Sequence, residues 1–312
     1  MRRRNRTLKD ESAILDVQRK PLPAEEAFDK YISHQVLKND RLITIKSTRS
    51  VFNNFKRFIE SEFPYLLDDI GLAEPEHMKL YIQWCITILG NQGSTINQKV
   101  KNLKHMFNHM VKLELISRNP VESIPQRAVD KKPKSTVTKE ILDKAIKTLD
   151  KNSFKDIRTM TVATLMFNTG MRVGEAASLR MKDINLKEKE IKLDKSKNRN
   201  FRVIPMNSES ERIIRIWFKI RGELDTEYVF VNEYDKPITK NAIQKHIKEM
   251  FVTAGEGTMS CHSLRRGFIT SLVNAGVPLP TIAAIVGHSS LDEIMTYTKI
   301  TENEMHKAVK RV

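Results

Sequence analysis

Cysteine is nearly absent from this chain. The two in 312 residues, Cys85 and Cys261, lie far apart and in no metal-ligand spacing. That excludes a disulfide scaffold and a cysteine-built zinc site, and it fits free thiols in a reducing compartment. Long apolar runs are missing as well; none approaches membrane-spanning length, so no membrane association is expected. The opening Met1-Arg2-Arg3-Arg4-Asn5-Arg6 has the charge of a secretory n-region, but no apolar segment follows it. A cytoplasmic protein is the expectation. His105 and His109 stand at a zinc-capable spacing, yet no Cys, Asp or third His lies at a compatible position, so no metal is expected. Internal repeats and low-complexity tracts are lacking too. Acidic residues are in deficit: 38 Asp plus Glu face 54 Lys plus Arg, a net charge of +16. Such an excess favours a polyanionic partner, nucleic acid first among them.

What is present reads as globular and mostly helical. Hydrophobic residues make up 40% and charged residues 29%, and the length suits two domains with separate cores. Residues 1–23 form a basic tail, either an arm that touches phosphates or a solvated end. Residues 24–118 read as helix throughout. Val51, Phe52, Phe55, Phe58 and Ile59 recur at helical spacing within 43–63, and Glu74-Pro75 opens a second helix through Tyr81, Trp84 and Cys85. A third, capped by Ser94 or Thr95, carries Ile96, Val100, Leu103, Phe107, Met110 and Val111 on one face. Its opposite face carries Lys99, Lys101, Lys104, His105 and Lys112, a basic stripe suited to a phosphate backbone. Residues 119–136 read as a linker, with Pro120, Pro125 and Pro133 for stiffness and Lys131, Lys132 and Lys134 as DNA-facing cations. From 137 a second domain runs to 312. Helices at 138–149 and 156–168 precede two alternating segments, Glu190–Leu193 and Phe201–Ile204, which predict a small antiparallel sheet. Further helices fit 208–220, 239–253, 262–275, 279–286, 290–297 and 301–310.

The chemistry-bearing residues are spread along that second domain. Thr169-Gly170-Met171-Arg172-Val173-Gly174-Glu175 places an arginine just after a helix-ending glycine. His262 and Arg265, three apart in the first turn of a helix, share one face, where backbone N–H groups also favour an anion. Gly287-His288 begins a turn, and Ser290 with Glu293 forms a capping box for the short helix that carries Tyr297. A phenol titrates near ~10 and is a poor nucleophile at neutral pH. It becomes effective against a phosphodiester whose charge fixed cations neutralise. The set therefore suits attack on a DNA backbone, with the broken strand held on the tyrosine.

In these motifs the chain closely resembles the tyrosine recombinase (phage integrase) family, over roughly residues 24–310. The family's Thr-Gly-x-Arg-x-x-Glu segment is matched by Arg172 and Glu175, its His-x-x-Arg pair by His262 and Arg265, its Gly-His turn by His288 and its nucleophile by Tyr297. Its hairpin lysine is matched by Lys197, eight residues before Pro205, with Lys195 the alternative. The resemblance implies a SAM-like, core-DNA-binding helical bundle followed by an α+β catalytic domain of the DNA breaking-rejoining type. It implies that Arg172 and Arg265 bind the scissile phosphate, that Lys197 protonates the leaving 5′-oxygen and that His262 moves the Tyr297 proton. His288 would hold the phosphate, and Glu175 would orient neighbouring cations. It further implies duplex DNA with inverted-repeat half-sites, a homotetramer on two sites, a C-terminal helix over 301–312 docked on a neighbouring protomer, and no metal, ATP or other cofactor. Integration, excision and dimer resolution all remain open as programmes, although the short segment before residue 24 argues against the larger phage integrases. The alternatives are a type IB topoisomerase-like relaxing enzyme and a catalytically idle DNA-binding regulator.

Overall fold

The computed structural model describes residues 20–129, 135–193 and 202–287. It divides into two compact units, with the boundary between Lys131 and Lys132.

The first unit is a helical bundle: α1 (Ala24–Leu37), α2 (Leu42–Glu62), the single turn α3 (Tyr65–Asp68), α4 (Pro75–Thr87) and α5 (Gly93–Lys112). Proline at the first position of α4 costs no hydrogen bond there. The predicted stripe of α2 is buried as a set, and Phe28 of α1 stacks on Phe52 with ring centroids 4.0 Å apart. Phe55 and Phe58 pack on Tyr81 from α4, and Phe107 of α5 closes the core.

The stripe on α5 departs from expectation at one register. Its buried positions are Ile96, Lys99, Leu103, Met106, Phe107 and Met110, while Val100 and Val111 are only partly covered. Lys99 therefore lies on the core face, not on the basic stripe; its side chain runs inward and Nζ ends 4.0 Å from Sγ of Cys85. The four-carbon stem fills apolar space that a shorter polar side chain would leave empty. Lys101, His105 and Lys112 are exposed, and Lys104 pairs with Glu122 at 2.9 Å.

The segment expected as a linker over 119–136 is shorter at both ends. Asn119 donates to the Lys104 carbonyl, Val121 is in the first core, and Asn97 makes reciprocal hydrogen bonds with the Arg127 backbone. At the other end the carbonyl of Ser135, still within the expected linker, accepts from Arg266 of the second unit at 2.8 Å. Leu22, placed with the tail, is also a core residue of the first unit.

The second unit is built around α7 (Phe154–Thr169), which is buried on nearly every side, so its core residues follow no single stripe. Around it pack α6 (Lys139–Ile146), α9 (Ser208–Arg221), α10 (Lys240–Thr253) and α11 (Cys261–Asn274). The short α8 (Val173–Ser178) follows α7 directly, and α12 (Leu279–Val286) follows α11. The antiparallel sheet has three strands, β1 (Ile184–Asn185), β2 (Glu190–Leu193) and β3 (Arg202–Pro205), in that order. Ile191 faces Ile184 on one side and Ile204 on the other, so the inward positions of the three strands align. The strand β1 was not predicted, since two residues are too few to show an alternation. Among the described residues no helix is long and apolar enough to cross a membrane.

Candidate active site

Three chain turns of the second unit meet at one place. The first is the end of α7. Gly170 caps it at φ +63°, in the left-handed region, and a Cβ there would stand 2.4 Å from Cδ1 of Phe268 on α11. The reversal delivers Arg172 to the N-terminus of α8. Glu175, one turn on, reciprocates: its Oε2 accepts the Arg172 backbone N–H at 2.7 Å and its Oε1 accepts Arg172 Nη1 at 3.3 Å.

The second is the start of α11. Arg265 is buried, donating Nη2 to the Val286 carbonyl at 2.8 Å and Nη1 to the Gly170 carbonyl. His262 is exposed on the same first turn. Partial desolvation, and then the positive charges of Arg266, Lys240, Arg265 and Arg172, hold its imidazole below the ordinary value of 6.5. It is therefore neutral at physiological pH and able to accept a proton.

The third is the end of α12, where Gly287 sits at φ +65°. Arg172 donates Nη1 to the Val286 carbonyl at 3.4 Å and Nη2 to the Gly287 carbonyl at 3.2 Å. The two arginines, 93 positions apart in the chain, thus share the Val286 carbonyl. Arg172, Glu175, Arg265 and the residue before His288 are brought together.

Two further residues in this region carry no motif. Arg202, the first residue of β3, grips Glu175 through both guanidinium ends, at 2.7 and 3.1 Å. Arg266 donates Nε to the Ser135 carbonyl at 2.8 Å, while Val137 donates its N–H to Ser263 at 3.2 Å, which fastens the start of the unit to α11. A strand-opening arginine looks like a surface residue in sequence. Arg266 follows the His-x-x-Arg pair, and its position alone signals nothing.

Lys197 with its alternative Lys195, His288, Tyr297, the linker cations Lys131, Lys132 and Lys134, and the expected helices over 290–297 and 301–312 lie outside the described residues, as does most of the basic tail. Of the expected DNA-facing lysines on α5, Lys101 and Lys104 reach the surface and Lys99 does not. Among the described residues no group of three or more His, Cys, Asp or Glu side chains is placed to hold a metal ion. His109, the zinc-spaced partner of His105, instead stacks on His34 with centroids 4.0 Å apart.

A bundle of helices followed by a mostly helical unit with a small antiparallel sheet, in which two arginines meet at the Val286 carbonyl, has the architecture of the integrase class. Residues 135–304 match the phage integrase family and residues 26–132 match the phage integrase SAM-like domain; the chain belongs to the phage integrase family. It is similar to the tyrosine recombinase XerC of Pediococcus pentosaceus, with 28% identity over 228 residues, 70% of this chain and 75% of that one. XerC of Bacillus pumilus is 25% identical over 283 residues, 88% of this chain and 91% of that one. Among solved structures, the Tn1549 transposon integrase in complex with transposon right end DNA shares the fold with a TM-score of 0.76. Its identity is 19%, over 93% of this chain and 99% of that one. A lambda integrase dimer bound to a COC′ core site gives 0.74 at 15% identity, over 96% of this chain and 85% of that one.

Proposed function

We propose that this chain is a site-specific recombinase that breaks and rejoins duplex DNA through a covalent 3′-phosphotyrosine. The phenolic oxygen of Tyr297 attacks the scissile phosphorus and the bond to the 5′-oxygen breaks. Lys197 supplies the proton that the leaving oxygen takes, and His262 accepts the one that Tyr297 loses. Arg172 and Arg265 fork onto the non-bridging oxygens and offset the charge that grows in the pentavalent transition state. His288 donates to the same phosphate. Attack by the 5′-hydroxyl of a partner strand reverses the step and completes exchange, so the bond energy stays in the phosphotyrosine. Every cation and proton donor in this scheme is a side chain, and cleavage is expected to persist in a chelator.

The observation that carries this reading is the meeting of Arg172 and Arg265 at the Val286–Gly287 carbonyls. It puts two guanidinium groups beside the turn that leads into His288 and Tyr297. The net charge of +16 and the likeness to integrases solved with DNA support duplex DNA as the partner. Lys101, Lys104, Lys131, Lys132 and Lys134 are proposed as phosphate contacts. Inverted-repeat half-sites, a tetramer on two sites and a C-terminal helix docked on the neighbouring protomer complete the proposal. The exchange serves a mobile element or a dimer-resolution system.

The test is a suicide duplex that carries the target site, selected from random duplexes by binding to the protein, and nicked beside the cleavage point. Wild-type protein should be trapped on it covalently. Tyr297→Phe should bind the duplex and leave no adduct. An adduct that survives in Tyr297→Phe would rule the nucleophile out, and relaxation of plasmids that lack target sites would move the reading to a topoisomerase.

A further inference from the structure

Glu175 receives four donors on two oxygens, and they are unequally shared. Its Oε2 takes the Arg172 backbone N–H at 2.7 Å and Arg202 Nη2 at 2.7 Å, while its Oε1 takes Arg202 Nη1 at 3.1 Å and Arg172 Nη1 at 3.3 Å. Arg202 thus holds the carboxylate in a two-pronged pair, and the Arg172 side chain touches it once, at the longest of the four distances. The Arg202 side chain is the more enclosed of the two, 9% exposed against 25%. It is also locked in place. β3 packs on α12, and a Cβ at Gly287 would fall 2.7 Å from Arg202 Nη1, so the guanidinium lies close against Gly287. Burial alone would raise the Glu175 pKa. The hydrogen bonds from Arg202 and from the Arg172 backbone, with the charges of both arginines, outweigh it and hold the carboxyl below its usual range.

We infer that Arg202 is a positioning residue for Arg172: it takes up the Glu175 charge, so that the carboxylate can orient Arg172 without cancelling its charge. The inference rests on the recombinase reading above. An arginine and a glutamate three apart on a helix would otherwise close into a two-pronged pair, the favoured geometry of a guanidinium and a carboxylate. An incoming phosphate would then have to displace a carboxylate of its own sign. With Arg202 present, two guanidinium groups face the Glu175 carboxylate, so that carboxylate does not by itself neutralise Arg172. The same carboxylate keeps the Arg172 backbone fixed through the N–H.

The decisive comparison is Arg202→Gln with and without Glu175→Gln, using the suicide duplex with single-turnover cleavage and binding measured separately. Binding should stay within about threefold of wild type, since no phosphate contact is removed. Cleavage by Arg202→Gln should fall by about 100-fold, as it does when one transition-state donor is disabled. Adding Glu175→Gln removes the uncompensated charge and should return at least about tenfold of that loss. Arg202→Lys, which keeps the charge with one prong, should cleave at a rate between Arg202→Gln and wild type. A double variant no faster than Arg202→Gln would overturn the inference, because an arginine that only packs gains nothing from a second lost contact. Wild-type cleavage in Arg202→Gln would overturn it equally. Should Arg202→Gln fail to fold, Arg202→Lys with and without Glu175→Gln makes the same comparison. Absence of any Tyr297-dependent adduct in the wild type would instead count against the recombinase reading itself.

Discussion

The substitution Gly267→Ala tests how the catalytic helix is seated. Inside a helix, glycine to alanine ordinarily gains about 1 kcal/mol, because alanine loses less backbone entropy on folding. Gly267 lies in the interior of α11, yet a Cβ there would stand 2.1 Å from the Val137 carbonyl oxygen and 2.9 Å from Cε2 of Phe167. The first of these is backbone, and the segment that leads into it is tied to α11 twice, by the Val137 N–H to Ser263 and by the Ser135 carbonyl to Arg266. Neither neighbour yields cheaply. Overpacking of this kind costs about 1–3 kcal/mol, and contact with a pinned carbonyl falls at the upper end. Set against the helical gain, the net loss is about 2 kcal/mol. At about 2–4 °C per kcal/mol for a unit of this size, the melting temperature should fall by about 4–8 °C. Differential scanning calorimetry on the full chain reads this in the transition of the second unit. Gly174→Ala is the matched control: nothing lies within 4 Å of its Cβ position, so a small gain of a few tenths of a kcal/mol is expected. A Gly267→Ala protein that melts at or above the wild-type temperature, or moves no more than the control, would refute the reasoning.

Two further outcomes are expected. Arg265→Ala should lower cleavage by about 100-fold or more while leaving DNA affinity within about tenfold, since it removes one transition-state cation among many phosphate contacts. It should also lower the melting temperature more than Arg172→Ala, because the Arg265 side chain is buried and secures the Gly170 and Val286 carbonyls; equal melting temperatures would contradict this. For His262 the folded pKa lies below 6.5, so as pH falls the unfolded chain takes up the proton first. Its neutral form therefore contributes stability that is present above 6.5 and lost as pH falls through the folded value. In the proposed mechanism the same neutral form serves as base, so the acid limb of the cleavage rate should have its midpoint below 6.5 and vanish in His262→Gln. A limb at or above 6.5, or one unchanged in the variant, would remove His262 from the proton path.

The parts of the fold that were legible in sequence are those where one face of an element is wet. The stripe of Val51, Phe52, Phe55, Phe58 and Ile59 predicted α2 because the opposite side of that helix is exposed, and the alternation around Ile191 and Leu193 predicted β2 for the same reason. α7 also read as a helix, but its packing did not, since threonines and Arg158 are buried there beside the apolar residues. Lys99 misled because charge was read as exposure, whereas its stem shares the face of Ile96 and Leu103. The prolines near 120 and 125 suggested a free linker, yet the Asn119 and Asn97 side chains bind this stretch to the bundle by contacts that no local pattern reveals. Of the candidate site, the positions of Arg172, Glu175, His262 and Arg265 stand out in sequence because the family's spacing marks them, and the structure brings Arg172, Glu175 and Arg265 together. Arg202 and Arg266 were not. Each acts through a backbone or carboxylate partner distant in the chain, and such partnerships leave no periodicity.

The fastening of Ser135 and Val137 to α11 has a consequence for building hybrid proteins. Each unit has a core of its own, so the first unit can be exchanged for that of a relative without cutting through either core. The natural place to cut is within the expected linker, but the carbonyl of Ser135 and the amide of Val137 belong to the seating of the helix that carries His262 and Arg265. A crossover placed before Ser135 exchanges the first unit and leaves α11 with its own foundation. One placed a few residues later would import a foreign backbone beneath Gly267, and a hybrid that bound its new site but failed to cut would have its fault at the joint, well away from the reacting groups.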